Sequence, residues 1–215
     1  MKQRRRRKSW GFRRFLLNFS VSALLIAGIF AGLSACARKD VSGHANRNPA
    51  FDLSTFFDGN AVAYGIFEDR FGNLRRQFRV NLSGRRDGNQ LILDEDFLYD
   101  DGERANRTWT IDRQQDFGTD GILYEGRAAD VEAVARGTQA GNTLKWQYDV
   151  VLDMSGMSLK VHFDDWIYKQ DEDIAINRAY VTKYGVDIGS VTIVFIRGKT
   201  ALSLWPLQLD QWPNQ

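Results

Sequence analysis

The sequence predicts an all-β protein whose antiparallel sheet closes into an up-and-down barrel. Three observations carry the prediction. Apolar and polar residues alternate with period two, most clearly in Leu144, Trp146, Tyr148 and Val150 and in Leu159, Val161 and Phe163, so each strand has one buried and one wet face. Turn-forming clusters of Gly, Asp and Asn recur at intervals of roughly 10–15 residues, the spacing of hairpin-linked strands. All three prolines, Pro49, Pro206 and Pro213, lie outside the stretch 50–205, and proline removes a donor from a sheet ladder.

The elements follow in order. Asp52 to Asp58 is the one helical candidate. Ala61–Glu68 and Leu74–Leu82 flank Arg70-Phe71-Gly72-Asn73, a hairpin turn. Arg86-Asp87-Gly88-Asn89 turns into Gln90–Tyr99, and Asp100-Asp101-Gly102 turns into Glu103–Ile111. Ile122–Ala129, the shorter Glu132–Thr138 and Thr143–Leu152 come next. Asp153-Met154-Ser155-Gly156 turns into Met157–Tyr168, and Gln170-Asp171-Glu172-Asp173 into Ile174–Lys183. Val191–Arg197 completes roughly nine or ten strands. A meander of this kind exposes two sheet edges unless it closes. A lipocalin-like up-and-down β-barrel is the simplest closure, and a barrel of that size can enclose one small ligand. A β-sandwich is the alternative.

The N-terminal segment reads as an address. Eight cations fall within the first 14 residues, and no acid precedes Asp40. An apolar run from Phe15 to Phe30 follows, then Leu33-Ser34-Ala35-Cys36. This is the layout of a secretory signal, and its last four residues resemble the lipobox of bacterial lipoproteins. The resemblance implies lipid transfer to the Cys36 thiol and cleavage before it. Cys36 is the only cysteine in the chain, so neither an intrachain disulfide nor a cysteine zinc site can form. The alternative is an uncleaved membrane anchor, for which the apolar run is barely long enough. Arg13-Arg14-Phe15-Leu16 lacks the residue that a twin-arginine signal places between its arginines and the Phe-Leu pair, which favours the general secretory route. Ala37 follows the cysteine where an aspartate would favour inner-membrane retention in enteric-type bacteria, so the periplasmic face of the outer membrane is the expected location.

The expected organisation is a signal over 1–35, the lipidated Cys36 with a flexible tether over 36–50, a barrel over 51–199 and a tail over 200–215. Charge then changes meaning. The whole chain carries a formal +2, but without residues 1–35 it holds 21 cations against 27 acids, a net −6. The basicity belongs to the signal, and no nucleic-acid partner is expected.

Seven motifs keep their order along residues 51–198: Phe56-Phe57-Asp58-Gly59, Ala63-Tyr64-Gly65-Ile66-Phe67-Glu68-Asp69-Arg70, Leu93-Asp94-Glu95-Asp96-Phe97, Tyr99-Asp100-Asp101-Gly102-Glu103, Arg107-Thr108-Trp109, Phe163-Asp164-Asp165-Trp166 and Ile176-Asn177-Arg178. On these motifs the chain resembles the bacterial lipoproteins grouped as domain of unknown function 3833. The resemblance implies a lipoprotein context, agreeing with the lipobox. It carries no established activity and no catalytic residues. The family's frequent proximity to fatty-acid-modifying enzymes points toward lipids.

Candidate chemistry is sparse. Asp94 and Asp96 share one face of a strand while Glu95 points the other way. Paired acids suit general acid–base work or a hard cation, but a solvated face or pairing with nearby arginines is the commoner use of such acids. Asp164 and Asp165 pose the same question. Continuing the row Leu159, Val161, Phe163 places Asp165 on the apolar side, where a carboxylate needs a partner. Arg178, aligned with Ile174 and Ile176 on the next strand, is the expected partner; the other reading makes the pair a headgroup site. Trp109, Trp146, Tyr148, Phe163 and Trp166 are read as core, or as core that also lines a ligand cavity. His162 faces away from Val161 and Phe163 toward water, and His44 lies in the tether. No nucleophile elbow, phosphate loop or dinucleotide fingerprint appears, and no cofactor, metal or catalytic residue is assigned.

The leading expectation is a non-enzymatic envelope lipoprotein, held on a membrane by its N-terminal lipid, whose barrel binds or carries a lipid or other apolar molecule. Two others stand beside it: an enzyme or enzyme accessory in lipid modification, and a structural or assembly lipoprotein of the envelope.

Overall fold

A computed structural model describes residues 40–116, 121–154 and 157–212. Cys36 and the whole signal segment lie outside the described residues. Ten antiparallel strands close into one barrel: β1 (Gly59–Asp69), β2 (Leu74–Asp87), β3 (Gln90–Tyr99), β4 (Arg104–Asp116), β5 (Ile122–Arg127), β6 (Val131–Ala140), β7 (Thr143–Met154), β8 (Met157–Lys169), β9 (Ile174–Lys183) and β10 (Val186–Ile196). Each strand pairs with its sequence neighbours, and β10 returns to β1 with Val62 opposite Ile196 and Phe67 opposite Val191. Closure removes both edges, which is why this sheet rather than a sandwich satisfies the ladder.

The hairpins follow the turn chemistry. At the β1–β2 turn the Asp69 carboxylate accepts from the backbone N–H groups of Phe71 (2.9 Å) and Asn73 (3.1 Å), and Gly72 takes φ +81°, a conformation that glycine adopts without strain. The strands outrun the sequence reading where they are polar. β2 continues through Arg85 to Asp87, and β10 begins at Val186 rather than Val191.

One end of the barrel is stoppered. The expected helix is a single turn, α1 (Leu53–Phe56), capped by the Asp52 carboxylate accepting from Thr55 N–H at 2.8 Å. Phe51, Leu53, Phe56 and Phe57 are all buried in one cluster with Leu82, Leu91, Leu144 and Phe195. Gly84, inside β2, explains itself here: a Cβ at that position would lie 1.6 Å from the Phe57 carbonyl oxygen. A glycine within a strand marks a close backbone approach, and here the stopper passes against the wall.

Two outer contacts lie beyond the strands. Within residues 41–50, two side chains pack on the barrel wall. Val41, in a short 3-10 helix Val41–His44, is buried against Ala140 and Trp166, and a His44 ring nitrogen bonds the Thr143 hydroxyl at 2.6 Å. After α2 (Gly198–Leu202) the tail also packs. The Asn81 side chain donates to the Leu207 carbonyl (3.0 Å) and accepts from its N–H (2.8 Å).

Candidate ligand site inside the barrel

Period two decides what the barrel encloses. In β7 the inward row is Leu144, Trp146, Tyr148 and Val150, and in β8 it is Leu159, Val161, Phe163, Asp165 and Ile167. Trp109 and Trp146 meet edge to face at 5.7 Å, Trp109 meets Tyr148 the same way at 5.3 Å, and Tyr148 stacks flat on Phe163 at 5.2 Å. The Trp146 ring is seated by two glycines. A Cβ on Gly126 or on Gly137 would lie 2.4 Å from its carbons.

The interior changes character along its length. Near α1 it is filled: Phe51, Leu82, Leu91, Ala135 and Leu144 have no accessible surface. Toward the far end, Phe67, Phe97, Tyr99, Tyr148 and Phe163 point inward and pack on the core, yet stay only partly buried. Inward rings that water still reaches give that end of the barrel an accessible apolar surface.

Polar groups converge at the middle depth. Glu95 on β3 stands opposite Arg107 on β4 and accepts from the Trp109 ring N–H. Asp165 on β8 is buried and accepts from Asn177 Nδ2 on β9 at 2.7 Å and from the Tyr148 hydroxyl on β7. The Arg107 guanidinium grips Asp130 in the β5–β6 connection, its Nε 3.1 Å from each carboxylate oxygen. Burial pushes Glu95 up to about 7, only partly offset by Arg107 and the Trp109 hydrogen bond. Burial likewise raises Asp165 to about 6 against the hydrogen bonds from Asn177 and Tyr148. Glu95 retains some accessible surface, but it lies in the inward row of β3 among packed side chains, so burial outweighs its charge partners. Two carboxylates with raised proton affinity beside one guanidinium can exchange protons near neutral pH or hold a polar group. Among the described residues no three His, Cys, Asp or Glu side chains converge as a metal site.

The structure divides the sequence candidates. Trp109, Trp146, Tyr148, Phe163 and Asp165 come together inside. Asp94 and Asp96 do not: Leu91, Leu93, Phe97 and Tyr99 face inward, so the inward acid of the triplet is Glu95. Asp94 instead accepts from the Thr108 hydroxyl at 2.6 Å and pairs with Arg85 at 3.4 Å on the outer wall. Asp164 also lies outside, 3.6 Å from Lys145. Trp166 is 2 % exposed but is not a lining residue; it follows inward Asp165, so it points outward and is covered by Val41.

The expected Asp165–Arg178 pair is absent. In β9 the inward row is Ala175, Asn177, Ala179 and Val181, and Ile176 is 36 % exposed. The strand is phased one residue away from the reading that follows its isoleucines. Arg178 therefore faces out, donating to the Thr192 hydroxyl at 2.6 Å and lying 3.5 Å from Glu68. The residues missed by the sequence reading are Glu95, Arg107 and Asn177, each visible as the polar member of an otherwise inward apolar row. Arg178→Met is accordingly expected to cost less than about 1 kcal/mol, the worth of an accessible ion pair. In urea unfolding it should add to Asp165→Asn within about 0.5 kcal/mol; a larger coupling would place the two side chains in contact.

No curated protein matches the chain. Among solved structures it is similar to an S-type phycobiliprotein lyase, CPES, from Guillardia theta. The TM-score is 0.51 at 10% identity, covering 68% of this chain and 91% of that one. At such identity the likeness concerns the fold, a lipocalin-like barrel. The family model described as "Protein of unknown function (DUF3833)" matches residues 30–197, which is most of the chain, and the protein belongs to that family.

Proposed function

We propose that this protein is a lipid-anchored lipoprotein of the bacterial cell envelope whose barrel binds or carries a lipid or another apolar molecule. What supports the reading is the far half of the barrel, where inward rings remain partly accessible, opposite the end filled by α1. Apolar concave surface with a few converging polar groups is what a ligand pocket requires. The anchor rests on Leu33-Ser34-Ala35-Cys36 behind an apolar run and a cationic start, and the periplasmic face of the outer membrane rests on Ala37. Acyl chains on Cys36 would hold the protein on its membrane at about 0.8 kcal/mol per buried methylene.

Native mass spectrometry of the gently extracted full chain is the direct test. A population heavier than the acylated polypeptide by one lipid-sized mass is expected, lost on delipidation. A single bare species that also fails to take up an added apolar probe would defeat the reading. For the anchor, radiolabelled palmitate should enter the wild type and not Cys36→Ala; equal labelling of both would remove the lipoprotein assignment. One observation favours a second reading as an enzyme or accessory in lipid modification. Glu95, raised to about 7, is matched to proton transfer at neutral pH.

A further inference from the structure

The polar cluster inside the barrel has an excess of acceptors. Three carboxylates, Glu95, Asp130 and Asp165, surround one guanidinium, and Arg107 already commits its Nε to Asp130. Glu95 and Asp165 repel each other's charge. Asn177 adds an independent sign. It is 4 % exposed, its Nδ2 donates to Asp165, and its Oδ1 is buried with no hydrogen-bond partner. Turning the amide over would set its carbonyl against the carboxylate, so Asp165 fixes Oδ1 as the acceptor left over. A buried acceptor without a donor costs about 1–3 kcal/mol, and native proteins rarely leave one unmatched.

Resting on the ligand-binding reading above, we propose that the ligand's polar end is a hydrogen-bond-donating cation, a primary ammonium on an apolar chain, received by Asn177 Oδ1, Asp165 and Glu95. An ammonium brings three donors and one positive charge, the complement of an unmatched amide oxygen beside two carboxylates. The rings of Tyr148, Phe163 and Phe97 then receive the chain. A fatty-acid carboxylate fits worse: it would add a negative charge to a cluster already short of cations, and it offers Asn177 Oδ1 no donor. The groups facing this position are Glu95 from β3, Arg107 and Trp109 from β4, Asp130 from the β5–β6 connection, Tyr148 from β7, Asp165 from β8 and Asn177 from β9. Arg107 is the one cation in this group; Arg76 stands further toward the rim, over the Tyr99 ring and paired with Asp101 and Glu103.

The test uses membranes holding the full chain and two matched probes. Each has a mid-chain diazirine and a terminal alkyne, one ending in a primary amine and the other in a carboxylic acid. After illumination, labelled peptides are mapped. The amine is expected to label peptides carrying Phe97, Tyr148 or Phe163 roughly tenfold more than the acid, the worth of one charge-assisted contact. Unlabelled dodecylamine should suppress that signal and dodecanoate should not. In Glu95→Gln/Asp165→Asn, checked for retained β-structure by circular dichroism, the preference should fall to about one. Interior labelling by the acid at or above the amine level would overturn the ammonium assignment and leave the ligand-binding reading standing. A preference that survives in the double variant would also overturn it. Failure of both probes to reach the interior peptides would overturn the assignment and the ligand-binding reading together. If the double variant does not fold, the wild-type competition decides alone, and suppression by dodecanoate but not dodecylamine refutes the proposal.

Discussion

The barrel should be more stable at about pH 5 than at about pH 8, against the habit of proteins whose carboxylates are paired. Glu95 and Asp165 have proton affinities raised on folding, from 4.5 to about 7 and from 3.8 to about 6. A carboxyl group of this kind favours the folded state while protonated. Its contribution is complete below the unfolded value and disappears as pH climbs through the folded one. At about 1.4 kcal/mol for each tenfold change in proton affinity, the two together are expected to remove several kcal/mol between pH 4 and pH 8. Asp69, Asp101 and Asp149 are shifted the other way, downward. Their stabilisation is lost only in more acid solution, so the window from about pH 5 to pH 8 belongs to the interior pair. Urea midpoints across that window measure the slope. Glu95→Gln/Asp165→Asn should flatten it and raise stability at pH 8, because neutral amides remove the charge to be buried. A slope that is flat in the wild type, or unchanged in the variant, would mean that these carboxylates are not enclosed as described.

The second large effect concerns the seat of Trp146. Its ring lies in a notch made by Gly126 and Gly137 and against Trp109. Trp146→Ala is expected to cost about 3–5 kcal/mol, the usual loss for a buried aromatic. Gly137→Ala should cost about 1–3 kcal/mol, since the new methyl would displace the ring. Part of that cost should vanish in a Trp146→Phe background, where the smaller ring leaves the notch. Urea unfolding of the three variants and the double variant gives the coupling. A loss under about 1 kcal/mol for Trp146→Ala would place the ring outside the packed interior.

The fold was legible because its signals are local. Alternation, turn residues and the run without proline mark strands and hairpins one at a time, and a meander joins them in order. Asp165 was legible inside because Leu159, Val161 and Phe163 set its phase. Asn177 and Arg178 were not, because β9 buries alanines and leaves Ile176 on the surface. A single exposed isoleucine costs little, so apolar bulk was a poor guide to phase. Glu95 is masked by Asp94 and Asp96, because three consecutive acids obscure the phase set by the inward row Leu91, Leu93, Phe97 and Tyr99. The packing of Val41 on Trp166 was invisible, since a contact spanning most of the domain leaves no mark on a polar, turn-rich segment.

The seam between β1 and β10 joins the first strand of the domain to its last, with Val62 opposite Ile196. A chain delivered from its N-terminus brings these partners at opposite ends of the task. Until Val186–Ile196 emerges, every assembled portion of the meander offers two raw edges, one on β1 and one on the newest strand, each a template for pairing with another chain. Loop-closure entropy must then be overcome across the whole domain before the seam rewards it. A chain cut short before β10 would carry both open edges permanently, so a premature stop there is far more hazardous than one in the tail.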